Sequence, residues 1–147
     1  MGLILSKEVI MEIPKEIKNL LKNNKLCSMA TCSDKQPYLS LMNFTYLESE
    51  NKIILSTRKN SKKYKNIQKN KNISLLVSSN LPKKSATFLG TALTMSKENK
   101  KEEHYRKMHS KNCDMPQFIL GDDIGLIVFS IEKIIISDKQ DQVEYIN

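Results

Sequence analysis

The feature that most limits the possible folds is a series of short extended segments separated by polar turns. Several segments are rich in β-branched residues, and residues 38–46 alternate in character as a strand with two unlike faces does. Gly90 lies inside another segment and indicates a bulge or a close backbone approach. We expect two strands within 124–136, divided near Glu132 and Lys133. The other predicted strands cover residues 26–32, 38–46, 53–57, 73–79 and 86–95.

Three stretches change to a helical period. Apolar residues within 13–24 fall on one face of a short helix, and a second short helix is predicted over 60–70, capped by Asn60 or Ser61. The third stretch, 96–109, is highly charged and begins with a serine suited to a helix cap. Strands nevertheless outnumber helices, so the sequence predicts a mainly β fold, a β-barrel with a few short helices.

Length and composition exclude several classes of protein. A chain of 147 residues predicts one domain over 1–147, large enough to be stable without disulfides or a structural metal. Cys27, Cys32 and Cys113 form no CxxC pair, and the two histidines lie five residues apart, so we expect no metal site. No apolar run approaches about 18 residues, and no signal peptide is recognisable. We therefore expect a cytoplasmic protein that does not associate with membranes.

The net charge of +8 comes mainly from lysine, because Arg58 and Arg106 are the only arginines among 24 basic residues. Arginine recognises bases and phosphates bidentately, whereas dispersed lysines attract anions diffusely. Specific nucleic-acid binding is therefore not the favoured interpretation. A basic nucleic-acid-binding protein stays open as an alternative.

The segment 53–67 carries the most informative chemistry, because a predicted strand leads there into the start of a helix. Lys62 and Lys63 follow the predicted cap, Arg58 and Lys59 precede it, and the first turn has no acidic residue. Cations at a helix N-terminus cost roughly a few tenths of a kcal/mol each. A bound anion would reverse that penalty, because backbone N–H and ammonium groups would converge on it. A lysine-rich, solvated helix end is the other interpretation, and charge alone leaves both open.

The glycine-rich motifs of the common nucleotide-binding folds are missing. The four glycines of the chain form neither a GxGxxG motif nor a P-loop, which excludes a Rossmann or Walker site. A longer motif does occur, and it reads Ser61-Lys62-Lys63-x-x-x-Ile67-x-x-Asn70-x-x-Ile73-Ser74-Leu75-Leu76. Four more segments accompany it in order, namely Met29-Ala30-Thr31, Gln36-Pro37-Tyr38, Ser56-Thr57 and Phe88-Leu89-Gly90-Thr91-Ala92.

The long motif resembles the Ser-Arg-Lys-x-x-x-Ile-x-x-Asn-Pro-x-Val-Ser-Leu-Leu signature of the pyridoxamine 5'-phosphate oxidase family. The accompanying segments match the same family in the same order, so the resemblance spans about residues 13–137. It implies a split β-barrel that binds flavin mononucleotide (FMN). It also implies a homodimer, because in this family the flavin lies across a dimer interface.

Carried over residue by residue, the resemblance assigns Lys62 and Lys63 to the FMN phosphate. A strand end would lie beside the ribityl–phosphate arm, four strand residues would line the isoalloxazine edge, and one serine would contact the ring from the other subunit. These residues are, in that order, Ser56 and Thr57, then Ser40, Leu41, Met42 and Asn43, then Ser85. Ser40 stands where the oxidases place an arginine on the phosphate, which weakens the expected site unless Arg58 or Lys59 compensates. Ordinary strand packing is the alternative for Ser40, Met42 and Asn43.

The resemblance implies an FMN-dependent oxidoreductase that transfers hydride at flavin N5 and acts on an unidentified small molecule, with NADH or NADPH as a candidate electron donor. Oxidation of pyridoxamine 5'-phosphate itself is not expected. Those oxidases use a C-terminal Arg-x-His element and a tryptophan, whereas this chain has no tryptophan and no arginine after Arg106. No catalytic acid or base is nominated, although Tyr38, Tyr46 and His109 are titratable candidates. A non-catalytic flavin- or haem-binding protein is the main alternative.

Overall fold

The computed structural model describes residues 12–80, 83–114 and 116–137, and the backbone of 142–146. Short 3₁₀ turns occupy Glu48–Glu50 and Pro116–Phe118. The described helices are α1 (Lys15–Lys22), α2 (Lys62–Lys69) and α3 (Glu102–Asn112). The described strands are β1 (Leu26–Ser33), β2 (Gln36–Leu47), β3 (Lys52–Arg58), β4 (Asn72–Asn80), β5 (Lys83–Met95), β6 (Ile124–Ser137) and β7 (Gln142–Ile146).

The strands form one antiparallel sheet in the order β3-β2-β1-β4-β5-β6-β7. An additional pairing of β3 with β6 closes the first six strands of that order into a barrel. Closure satisfies backbone groups that an open sheet would leave at its edges. The predicted mainly β barrel with short helices is thereby confirmed.

The barrel is split between β2 and β3. These strands pair only from Phe44 opposite Leu55 to Leu47 opposite Lys52. Beyond that point the first half of β2 pairs with β1, while the end of β3 pairs with β6. Because α2 follows β3 after a short turn and packs against β1 and β5, its first turn lies beside the split.

Two apolar clusters stabilise this arrangement, each burying side chains that contribute about 1.5–3 kcal/mol apiece. The larger cluster fills the barrel and includes Phe44, Phe88 and Phe129. Residues Ile17, Leu20 and Leu21 of α1 join it, as the helical period predicted. The smaller cluster lies on the outer face of the barrel, where α3 contributes Tyr105.

The predicted start of the third helix is wrong. The helix begins at Glu102 and not at Ser96, because the residues between them form turns with local hydrogen bonds. The Glu98 N–H donates to Ser96 Oγ over 3.1 Å, and the Lys101 N–H donates to Asn99 Oδ1 over 2.9 Å. Serine and asparagine stabilise turns through such bonds as readily as they cap helices. In the described ranges, no helix is long and apolar enough to cross a membrane.

The predicted division of residues 124–136 into two strands is also wrong, because they belong to the single strand β6. The predicted boundary does coincide with an irregularity in the pairing of β6 with β5. Leu89 pairs with Lys133 whereas Gly90 pairs with Ile131, so Glu132 is the extra residue of a β-bulge. The prediction of a bulge or a close backbone approach at Gly90 is confirmed, because the register shifts between Leu89 and Gly90 and a Cβ there would lie 2.0 Å from the Ser130 carbonyl oxygen.

A buried histidine holds α3 on the barrel. His109 Nδ1 and Thr45 Oγ1 form a hydrogen bond of 2.7 Å, and Asn112 Nδ2 donates to the same Thr45 oxygen over 3.2 Å. His109 Nε2 is buried and has no hydrogen-bond partner in the described part of the chain. Burial, assisted by the nearby Arg106 guanidinium, lowers the pKa of His109 from 6.5 to about 4. The imidazole is therefore neutral in the folded protein at neutral pH.

Stability is expected to decrease on acidification because His109 takes up a proton more readily in the unfolded chain than in the folded protein. The stabilisation is complete above the unfolded pKa of 6.5 and is lost as pH falls towards the folded pKa of about 4. From about pH 7.5 to about pH 5, the loss should be about 2 kcal/mol. Urea unfolding across this range should show a smaller pH dependence for His109→Gln than for the wild type.

His104→Gln is the matched control, because His104 is exposed on the same helix. This variant should retain the wild-type pH dependence. An equal pH dependence in His109→Gln and the wild type would contradict the role given to His109.

Candidate functional site

The first turn of α2 presents two lysines without any neutralising acid. Ser61 is the helix cap, because its Oγ accepts a hydrogen bond from the Tyr64 N–H over 3.3 Å. Lys62 is exposed, whereas Lys63 is half-buried, and burial lowers the pKa of its ammonium group. Among the described residues, no carboxylate forms an ion pair with either lysine. A partly dehydrated cation at the positive end of a helix is stabilised by a bound anion.

The end of β3 leads into this turn, but its two candidate side chains point to opposite faces. Thr57 is buried on the face of Leu55, and its hydroxyl donates to Ser61 Oγ over 3.3 Å. Ser56 is half-buried on the face of Ile54, which packs in the cluster under α3. Thr57 thus supports the helix cap, and the turn that follows carries exposed Arg58 and Lys59.

Four candidate residues lie on the half of β2 that borders the split. Ser40 and Met42 face the barrel interior, and Leu41 and Asn43 face outwards. The Ser40 hydroxyl is buried and has no hydrogen-bond partner among the described residues. Over 36–43, the described structure pairs β2 only with β1, so the backbone groups of its other edge are available to a ligand at the split.

Ser85 lies apart from the other candidates. It lies near the start of β5, where it pairs with Ser78 on β4 and with Ser137 on β6. Its alternation with buried Ala86 places it on the outer face of the sheet. Within one chain this position is away from the split, so Ser85 could serve a flavin only across a subunit interface.

The same outer face carries a patch that the sequence reasoning missed. Leu41, Ser28 and Leu76 form one row across three neighbouring strands, because Ser28 pairs with both leucines. The leucine face consists of Leu26, Leu39, Leu41 and Leu76, which are 51%, 71%, 67% and 43% exposed. The available signal was that Leu39 and Leu41 lie on the face of β2 opposite Met42 and Phe44, although a single barrel core covers only one face.

Of the titratable candidates, only Tyr38 is near the split. Tyr46 donates a hydrogen bond from its hydroxyl to Asn51 Oδ1 over 3.0 Å, and burial together with Glu48 raises its pKa to about 12. His109 belongs to α3 and is buried, with its Nδ1 bonded to Thr45. Tyr38 is on the first half of β2, opposite Thr31.

These features define a class of protein: a split antiparallel barrel in which a helix begins beside the split with two lysines and no acidic residue in its first turn. The comparison with known families identifies the class further, because the family model described as pyridoxamine 5'-phosphate oxidase matches residues 13–137. The chain therefore belongs to the pyridoxamine 5'-phosphate oxidase family, as its motifs indicated.

A curated relative agrees with this membership, and two solved structures share the fold. A protein of Schizosaccharomyces pombe named a pyridoxamine 5'-phosphate oxidase homolog is 33% identical over 88% of this chain and 87% of its own length. A haem-binding protein from Mycobacterium smegmatis has the same fold, with a TM-score of 0.77 and 12% identity over 92% of this chain, which spans 59% of that protein. A FAD-binding protein from Mesorhizobium loti has a TM-score of 0.65 and 18% identity over 81% of this chain and 87% of its own.

The residues at the split fit a phosphorylated flavin. Lys62 and Lys63 offer positive charge to a phosphate, and the unpaired Ser40 hydroxyl and the open edge of β2 offer hydrogen bonds to polar ring atoms. Ser40 stands where the oxidases of the family have an arginine. Arg58 and Lys59, which precede α2, are exposed cations that could compensate for its loss.

Ser40→Ala should leave the ligand-free protein as stable as the wild type or more stable, by about 1 kcal/mol, because it removes a buried hydroxyl without a partner. Urea unfolding of the ligand-free protein measures the difference. Ser28→Ala on the outer face is the control and should have little effect. A loss of more than about 1 kcal/mol in Ser40→Ala would mean that the hydroxyl has a partner in the folded chain.

Proposed function

We propose that this chain is a homodimeric FMN-dependent oxidoreductase that acts on a small molecule. The observation that carries the proposal is the half-buried Lys63 ammonium beside Lys62 at the start of α2, with no carboxylate paired to either among the described residues. Family membership supports a flavin, since one solved relative is named as FAD-binding. The second solved relative is named as haem-binding, so the fold alone does not select the ligand.

In this proposal the chain binds and orients the cofactor. Lys62 and Lys63 hold the phosphate, and Ser61 keeps the helix start in position through its bond to the Tyr64 N–H. Backbone groups of residues 40–43 and the Ser40 hydroxyl meet the polar edge of the ring and stabilise negative charge there. The bound flavin supplies hydride transfer at N5, and NADH or NADPH is the proposed electron donor.

The leucine face supports a homodimer. Leu39 and Leu41 are the most exposed of its members, and an apolar patch of this kind on a soluble domain marks an association surface. Ser85 lies on the same outer face, where a second copy of the chain would bring it near the first copy's cofactor. We include Ser85 in the proposed site on this basis.

A reducing compartment is part of the proposal. Cys27 and Cys32 are free thiols in the structure, as is usual for cytoplasmic proteins. We further propose that 1–147 acts as one FMN-binding domain and that its substrate differs from pyridoxamine 5'-phosphate.

Haem binding has less support from the chain's own residues. A haem iron needs an axial ligand, commonly a histidine. His109 is buried with Nδ1 bonded to Thr45, and His104 is exposed on α3. The spectrum of the purified protein separates the alternatives, because flavin and haem absorb differently. Oxidation of NADH or NADPH with an added electron acceptor then distinguishes an enzyme, which turns over, from a flavin carrier, which does not.

The double change Lys62→Ala and Lys63→Ala should weaken FMN binding on the order of a hundredfold, since each lysine contributes a charge-assisted hydrogen bond. Quenching of flavin fluorescence during titration measures the affinity. Riboflavin, which lacks the phosphate, should bind the variant and the wild type equally.

The double change Lys65→Ala and Lys69→Ala is the matched control, because both lysines are exposed on the same helix. It should leave FMN affinity within about threefold of the wild type. Wild-type FMN affinity in the Lys62→Ala, Lys63→Ala variant would refute the phosphate assignment.

The double change Leu39→Lys and Leu41→Lys should convert the dimer to a monomer, because it places charges in the centre of the leucine face. Sedimentation velocity measures the oligomeric state, and circular dichroism confirms that the barrel is retained. Leu93→Lys is the control, because Leu93 is also exposed but lies near the end of β5, outside the leucine face. A wild-type monomer, or a variant that remains dimeric, would contradict the proposed interface.

A further inference from the structure

The start of α2 is held against β6 at a glycine. Gly125 on β6 is buried, and the Tyr64 ring occupies the space where a side chain at this position would begin. A Cβ on Gly125 would lie 2.2 Å from Tyr64 Cε1, 2.5 Å from Cζ and 2.8 Å from the hydroxyl oxygen. Carbon atoms in van der Waals contact are about 3.5–4.0 Å apart, so any side chain at 125 must displace the ring or the strand.

This contact completes a closed circuit of four residues. Gly125 pairs with Thr57 in the β3–β6 ladder. The Thr57 hydroxyl donates to Ser61 Oγ, and the Tyr64 N–H donates to the same oxygen, each over 3.3 Å. The Tyr64 ring then returns to Gly125. The circuit fixes both the cap of α2 and its first turn relative to the end of the barrel.

Lys62 and Lys63 lie between the cap and Tyr64, so the circuit surrounds the residues proposed to bind phosphate. Tyr64 is buried and belongs to the barrel core, which makes its ring a rigid anchor for the turn. A charge-assisted bond to phosphate depends steeply on distance and direction, so a displaced turn loses binding energy even when both lysines remain.

We infer that Gly125 is a positioning residue that determines how well the site distinguishes phosphorylated from unphosphorylated flavin. Its missing side chain lets Tyr64 seat the first turn of α2 where Lys62 and Lys63 meet the phosphate. Gly125 acts through Tyr64 and touches no part of the cofactor in this inference. The inference rests on the proposed FMN site.

The test compares FMN with riboflavin on Gly125→Ala. FMN affinity should fall by about tenfold while riboflavin affinity changes little, so the ratio of the two affinities decreases. Adding Tyr64→Leu, which removes the ring atoms closest to position 125, should restore part of the ratio relative to Gly125→Ala alone.

Gly90→Ala is the matched control for loss of stability. A Cβ at Gly90 would also clash, at 2.0 Å from the Ser130 carbonyl oxygen, but its nearest atoms belong to β6 and not to α2. This variant should lose stability and keep the wild-type ratio of FMN to riboflavin affinity. An equal loss of both ligands in Gly125→Ala, or unchanged binding of both, would overturn the inference.

Hydrogen exchange in the ligand-free protein keeps the two proposals separate. The Tyr64 and Lys65 amides should exchange faster in Gly125→Ala than in the wild type, and Gly90→Ala should not change them relative to the rest of the barrel. If the wild type binds no FMN, the proposed function fails, and faster exchange then still supports the circuit. Unchanged exchange in Gly125→Ala overturns the inference whatever the wild type binds.

Discussion

The point at which β3 separates from β2 while it stays paired with β6 is the constraint on which the rest of the molecule depends. β3 pairs with β6 from Lys52 to Arg58 but with β2 only as far as Leu55, so the first pairing closes the barrel and the end of the second opens the split. It leaves one edge of β2 without a strand partner in the described structure, and it directs the end of β3 into α2. Backbone N–H and C=O groups along an unpaired strand edge are available for hydrogen bonds, so this edge is a natural place for a polar ligand.

The polar groups near the split are costly for a protein that binds nothing there. Lys63 loses hydration without gaining a carboxylate among the described residues, and the Ser40 hydroxyl is buried without a partner. Elsewhere the chain itself compensates the cost of burying a charge. The buried Glu102 carboxylate forms an ion pair with Arg106, whose guanidinium also donates hydrogen bonds to the Ile119 and Ile124 carbonyls. Uncompensated groups concentrated at one place indicate a functional site, because stability is commonly reduced where binding requires it.

Local patterns in the sequence predicted much of the fold and the helix start, but contacts distant in sequence were not predictable. The alternation in residues 38–46 identified the faces of β2, and the residues before Lys62 identified the cap, because both signals lie within a few positions. The start of α3 was misplaced because Ser96 has the same chemistry as a cap residue and stabilises a turn instead. The single strand β6 was divided because a bulge and a turn both interrupt alternation.

The contacts that position the site were missed for a different reason. Thr45 and His109 are 64 residues apart, and Tyr64 and Gly125 lie on elements that only the closure of the barrel brings together. A glycine in an apolar strand is compatible with a bulge, a bend or a close approach, and the sequence does not distinguish them. The leucine face was hidden similarly, because an apolar strand is expected to be buried until the structure shows which side the core leaves uncovered.

Members of one fold can hold different ligands, so the ligand must be argued from the residues of this chain. Relatives named as FAD-binding and haem-binding have the same barrel at 18% and 12% identity, a level at which the fold is shared and the site is not defined. In this chain, lysines at a helix start favour a phosphate, whereas both histidines, a common type of haem ligand, lie on α3. A phosphate at a helix start is bound well only if the turn is held in place, so in the proposed site the Tyr64–Gly125 contact and the lysines act together. The cations would provide the attraction, and the glycine on β6 would determine where that attraction is applied.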